Sequence, residues 1–193
     1  MIAYDATSGG TALGTITFSH INNGNILYAG VGIESSVDNV TSVTYNGIAM
    51  TRISNISNII NNEQTYLYQL TEPATGTNNV VVSLNAGSIA RAVSASYSDT
   101  TQGGQPNVVG SVALGTVTAG TLTLTTIANN CWMVSCSHGD AGAFDPSTNV
   151  TGRGTQTQVV LGDSNGPISP AGAFSQVWTR GVAANLNIVQ AGF

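Results

Sequence analysis

The chain has 193 residues, only 7% of them charged against about 25% in an ordinary soluble domain, and nine acids face four Arg and no Lys. The net charge of −5 argues against nucleic acid and against an anionic membrane surface, because both are held by Lys and Arg. A hydrophobic share of 41%, gathered in β-branched runs, excludes a disordered chain despite 24 Thr, 19 Ser, 19 Asn and 23 Gly.

The opening "MIAYDATSGG" has no basic segment followed by an apolar one, so no secretory signal is expected and the start reads as native. Strand signals follow: short β-branched or aromatic runs broken by Gly, Asn, Asp and Pro. In order they are "GTITFSH" (14–20), "NILYAGVGI" (25–33), "VTSVTYN" (40–46), "IAMTRI" (48–53), "QTYLYQL" (64–70), "NVVVSL" (79–84) and "ARAVSASY" (90–97). Asn46-Gly47 joins the third and fourth, since a type I′ turn demands positive φ at both central residues. The near-continuous apolar runs 25–33 and 79–84 predict strands covered on both faces. Tyr66 and Tyr68 share a face with Leu67 opposite, as a small aromatic platform or as cross-strand packing.

The second half offers "VGSVALGTVT" (109–118), "TLTLTTI" (121–127), "CWMVSCS" (131–137), "TQTQVVL" (155–161), "FSQVWT" (174–179) and "ANLNIVQ" (184–190). Leu122 and Leu124 alternate with Thr121, Thr123 and Thr125, as in a strand with one wet face. The Gly/Thr-rich stretch 100–120 is a candidate crossover. About a dozen strands and no helical period predict an all-β fold: one domain, 1–193, a two-sheet antiparallel β-sandwich of jelly-roll type. No run reaches the roughly 20 apolar residues of a transmembrane helix.

Chemistry is sparsely marked. Cys131 and Cys136 lie five apart, about 16 Å along one strand, too far for a disulfide, so both are expected as buried free thiols. His20 and His138 are the imidazoles available as a base, and no Gly-x-Ser-x-Gly elbow marks a nucleophile. The nine acids stand singly, so a glycosidase pair would have to come from folding. No zinc spacing occurs, and no metal or other cofactor is expected. Were calcium bound, Asp140, Asp145 and Asn149 would be the place. Trp132 and Trp178 sit within apolar strands and read as core. Residues 137–154, "SHGDAGAFDPSTNVTGRG", read as the longest polar loop, with His138, Asp140, Asp145 and Arg153 as candidate binding residues. No catalytic residue is assigned.

Sandwich edges are usually guarded by Lys, Pro or inward charge. A chain without Lys is therefore expected to cover its edges with partner chains and to self-associate as a homo-oligomer.

One stretch has a familiar cadence. "NILYAGVGIESSVDNVTSVTYNGIAMTRI", "TYLYQLTEPATGTNNVVVSLNAG" and "ARAVSASYSDTTQ" resemble a β-sandwich module of phage virion proteins and large bacterial surface or secreted proteins. Pro73, Gly76, Val80 and Val82 hold its turn-strand part, whereas Ile26 stands where the pattern has Arg. The resemblance covers about residues 14–105 and carries no catalytic residue across. It implies location in a particle or on a cell surface, and binding rather than catalysis. A short chain whose start reads as native, with no export signal, fits best a non-enzymatic virion component, made in the host cytoplasm, that docks on capsid or tail proteins. The alternative is a glycan-binding or adhesin module, and a hydrolase using His138 and Asp140 is a third reading.

Overall fold

A computed structural model describes residues 1–58, 62–85, 87–140 and 144–193, with the backbone alone at 58 and 145–147. Fifteen strands lie among the described residues, and they pair antiparallel in three sheets. The first sheet has the order β1 (Ala3–Leu13), β9 (Ile89–Ser98), β3 (Ile26–Glu34), β7 (Glu63–Thr71), β6 (Thr51–Asn58). The second runs β2 (Ile16–Asn22), β8 (Gly76–Leu84), β4 (Val40–Tyr45), β5 (Ile48–Ala49). The third runs β10 (Val108–Thr125), β15 (Ala173–Gly192), β11 (Met133–His138), β14 (Val159–Asp163), β13 (Thr151–Gln156), with β12 (Phe144–Thr148) also on β15. The all-β antiparallel sandwich expected from the strand pattern is present, and its sheets number three rather than two.

The first sheet is the middle layer, which explains why its strands are apolar on both sides. One face carries Leu27, Ala29, Val31, Tyr66, Tyr68 and Ala92 against Ile16, Val43, Tyr45, Val80 and Val82 of the second sheet. The other carries Ile26, Tyr28, Leu67, Val93 and Tyr97 against Val134, Cys136, Leu161, Val189 and Phe193 of the third. Tyr28, Tyr97 and Phe193 meet with ring centroids 4.9–6.1 Å apart, contacts worth about 0.5–1.5 kcal/mol each beyond their area. The layers approach so closely that a Cβ on Gly30 would lie 2.5 Å from Cys136 Sγ.

The two longest strands, β10 and β15, form a ribbon that doubles over. Its register slips between Leu114 and Ala119, and Gly110 on one arm lies against Leu124 on the other. This fold-back lays Trp178 on the outer side of β11 and β14, where its indole N–H donates to Ser135 Oγ at 3.1 Å. Phe144, Val160, Leu186 and Ile188 complete a third core there.

Several sequence expectations take their final form here. Asn46 and Gly47 have φ of 50° and 75°, and Tyr45 pairs with Ile48, so the type I′ hairpin is present. The segment 48–53 splits at buried Met50, passing from the second sheet as β5 to the first as β6. Residues 79–84 are covered on one face only: Val80 and Val82 are buried and Val81 is half-buried, because the second sheet is an outer layer. The segment 155–161 is a hairpin rather than a strand, turning at Thr157, whose φ is 50°. The stretch 109–125 is continuous strand, not a crossover. Residues 3–13 form a strand that the Gly9-Gly10 pair concealed.

Candidate functional site

The stretch 137–154 is not one loop. His138 ends β11 fully buried, β12 occupies 144–148, β13 begins at Thr151, and residues 141–143 lie outside the described residues. Extended backbone forms here because β12 finds a partner in β15 and β13 in β14, pairings that sequence patterning within the stretch does not announce. Arg153 is tied down on β13. Its Nε and Nη2 donate to Asp163 Oδ2 and Oδ1 at 2.7 and 2.9 Å, Nη2 reaches Asn165 at 2.7 Å, and the guanidinium stacks 4.3 Å over Tyr4. Asp163 is fully buried, so this fork holds a charge in the interior. Asp145 pairs through its backbone with Thr179, and its side chain lies outside the described residues. Asn149 donates to Ser175 O at 3.0 Å, directing its amide at β15.

His138 and Asp140 belong to a different constellation, at the end of the layers where β3 stops and β7 starts. Glu34 and Glu63 are direct cross-strand partners there. Like charges so placed repel. Glu34 is relieved by Arg91, whose Nη1 lies 2.8 Å from its Oε1. Glu63 is only 1% exposed, and among the described residues neither of its carboxylate oxygens has a hydrogen-bond partner. Asp140 follows β11 and accepts from the backbone N–H and side-chain amide of Asn185 at 3.1 and 2.7 Å. Glu34, Asn62, Glu63 and Asp140 together wall a cavity of about 400 Å³. Behind it lie His138, half of whose ring is tied to Thr65 at 3.3 Å, and Arg180, whose Nη1 donates to Asn185 O at 2.6 Å. Gly139 leaves room for that guanidinium, since a Cβ would run into Arg180 Nη1.

The electrostatics follow from burial. Desolvation, reinforced by Asp140, pushes the Glu63 carboxyl up to about 7, with Arg180 pulling the other way. Burial, with the Arg91 charge alongside, pulls His138 down to about 3, so the imidazole is neutral at physiological pH. Burial also lowers Arg180 from its ordinary value. Sequence reading missed Glu63 as a functional candidate. Its only signal was an acid opening the β-rich run "EQTYLYQL".

His20 is surrounded by hydroxyls: Ser8 and Ser94 on Nδ1 at 3.2 and 3.0 Å, and Ser96 on Nε2 at 3.1 Å. Ser96 in turn donates to Asp5 at 2.7 Å. The order is thus Asp–Ser–His, in which the acid orients the hydroxyl and not the imidazole, unlike a catalytic triad. His20 is fully buried, burial draws it down to about 4, and it packs edge-on against Tyr45 at 6.0 Å. The arrangement satisfies a polar group between two layers.

Trp132, Trp178, Tyr66 and Tyr68 are all buried, so the pair on β7 is packing and not a platform; Arg52 stacks 4.8 Å over Tyr66. Cys131 and Cys136 are both free and buried. Among the described residues no group of three or more His, Cys, Asp or Glu is arranged to hold a metal ion. Compared with known proteins, the chain matches no family model, no curated protein and no solved structure.

Proposed function

We propose that the protein is a non-enzymatic structural subunit of a phage virion, a head-decoration, head-fibre or tail-associated component that docks on other virion proteins and on copies of itself. The observation that supports this best is β10. It is 18 residues long, stands at the end of its sheet, and contains neither a charged residue nor a Pro. Soluble monomers seldom leave such an edge guarded by a register slip alone, here between Leu114 and Ala119, and strand addition to the arms on either side requires only backbone hydrogen bonds. The near absence of charge elsewhere fits a surface that spends its life covered.

The aromatics that a sugar-stacking module would present are drawn into the cores, which weighs against the glycan-binding alternative. Detection of the chain at fixed stoichiometry in purified particles, by mass spectrometry, tests the virion assignment; its absence from particles overturns it. Self-association is tested separately by sedimentation velocity. The wild type is expected to form oligomers that Thr121→Lys together with Thr125→Lys disperses, because both residues are exposed on β10 and Lys guards an edge. A wild-type monomer at high concentration overturns the edge-pairing mechanism.

A further inference from the structure

Glu63 presents a physical problem that the fold does not solve. A carboxylate that is 1% exposed is expected to be paired or hydrogen-bonded, yet among the described residues both oxygens are without a partner, in a side chain that lines an open cavity. The other acids on that wall are acceptors too, the carboxylates of Glu34 and Asp140; the Asn62 amide beside them both donates and accepts. Arg91 is engaged on Glu34, and Arg180 gives Nη1 to the Asn185 carbonyl, while its buried Nε and Nη2 find no partner among the described residues and form no ion pair with Glu63. The chain has no Lys to offer.

We propose that the cavity walled by Glu34, Asn62, Glu63 and Asp140 binds an alkylammonium group, whose N–H donors are received by the unpartnered Glu63 carboxylate and its neighbouring acids. The charge of the wall selects a cation. The carboxylates do not converge as metal ligands, which need oxygens at about 2.3–2.6 Å from one point for calcium. An ammonium engages acceptors at about 2.7–2.9 Å through three donors that turn with the C–N bond, so it tolerates a wider spread. The cavity of about 400 Å³ has room for the carbon chain as well. No aromatic ring lines it among the described residues, so a quaternary ammonium, which is held by ring faces, is disfavoured. The site stands independently of the virion assignment. The ammonium can come from a lysine of a docked protein or from a free polyamine, and the chemistry is shared.

Binding must ionise Glu63. The groups that face it are Asp140 and Glu34, which resist its ionisation, and Arg180 and Arg91, which favour it; His138 behind them stays neutral. Affinity therefore rises with pH, by about tenfold between pH 6 and 8 for an acid titrating near 7.

The test is a titration of the full-length ¹⁵N-labelled chain at pH 8, following the backbone amides of Glu34 and Glu63. n-Butylammonium is expected to shift them saturably, and n-butyltrimethylammonium, which lacks N–H donors, is not. Glu63→Gln is expected to weaken the ammonium roughly tenfold or more, with Glu34→Gln as the second variant acting in the same direction. Spermidine binding more tightly than a capped lysine amide assigns the site to a free polyamine, and equal or tighter binding of the lysine amide assigns it to a docked protein. Both results uphold the ammonium site. It is overturned if n-butylammonium gives no saturable shift, if the trimethyl analogue or calcium binds as well, or if Glu63→Gln binds like wild type.

Discussion

Replacing Glu63 by Gln is expected to stabilise the protein, and to do so more at alkaline than at acid pH. The side chain is buried with an ordinary carboxyl value of 4.5 raised to about 7. A folded state that holds the proton more tightly than the unfolded one loses stability as pH rises from 4.5 through 7, and the loss is complete above 7. At about 1.4 kcal/mol per pH unit, the charged carboxylate costs the fold about 1 kcal/mol at pH 5 and about 3 kcal/mol at pH 8. Gln has nearly the same shape and never ionises, so any packing change is the same at both pH values. The quantity to measure is the difference: the gain from Glu63→Gln grows by about 2 kcal/mol between pH 5 and 8. His20 and His138, drawn down to about 4 and about 3, also make stability fall as pH drops below 6.5. That slope is common to both proteins and cancels. Urea denaturation at the two pH values, with an unchanged m-value, reads the difference directly. An equal effect at pH 5 and 8, or a larger gain at pH 5, refutes the reasoning, because Glu63 would then be paired or solvated in the folded state.

Arg153→Met removes the fork that holds Asp163 in the interior and leaves it neutral donors, such as the backbone N–H of Asn165 at 2.8 Å, in place of a cation. A loss of about 3–5 kcal/mol is expected in urea denaturation at pH 7, shrinking when Asp163→Asn is combined with it. Gly30→Ala places a methyl 2.5 Å from Cys136 Sγ and 2.8 Å from its Cβ, between two closely stacked sheets. A cost of about 1–3 kcal/mol is expected, with far-UV circular dichroism unchanged.

How much of the fold was written locally differs from strand to strand. The strands of the middle layer were readable because burial on both faces forces apolar residues at every position, as in β3, where Ile26 to Ile33 are all buried. The Asn46-Gly47 hairpin was readable because its backbone conformation restricts the residue choice. The strand β1 was not. Its glycines serve neighbours on other strands: a Cβ on Gly10 would press on Ile16 and Phe18 of β2, and one on Gly9 on Gln156 of β13. β12 and β13 were missed for a related reason. Their pairing partners, β15 and β14, supply the hydrogen bonds, and Gly152 and Gly154 in β13 read locally as turn residues.

The candidate site shows the same limit more sharply. His138 and Asp140 were noticed because they stand two apart, and the fold keeps both at one end of the layers. Arg153 was noticed as a rare cation and turned out to be the partner of Asp163, ten residues on across the β13–β14 hairpin. Glu63 and Glu34 lie 29 positions apart and become neighbours only through the β3–β7 register. That register is set by the two apolar cores on either side of the middle sheet, since slipping β7 by one residue would exchange Tyr66 and Tyr68 with Leu67 between them. Packing of uncharged residues therefore holds two like charges face to face at the sheet's end. Arg91 neutralises one of them, and the other lines the cavity with no partner among the described residues.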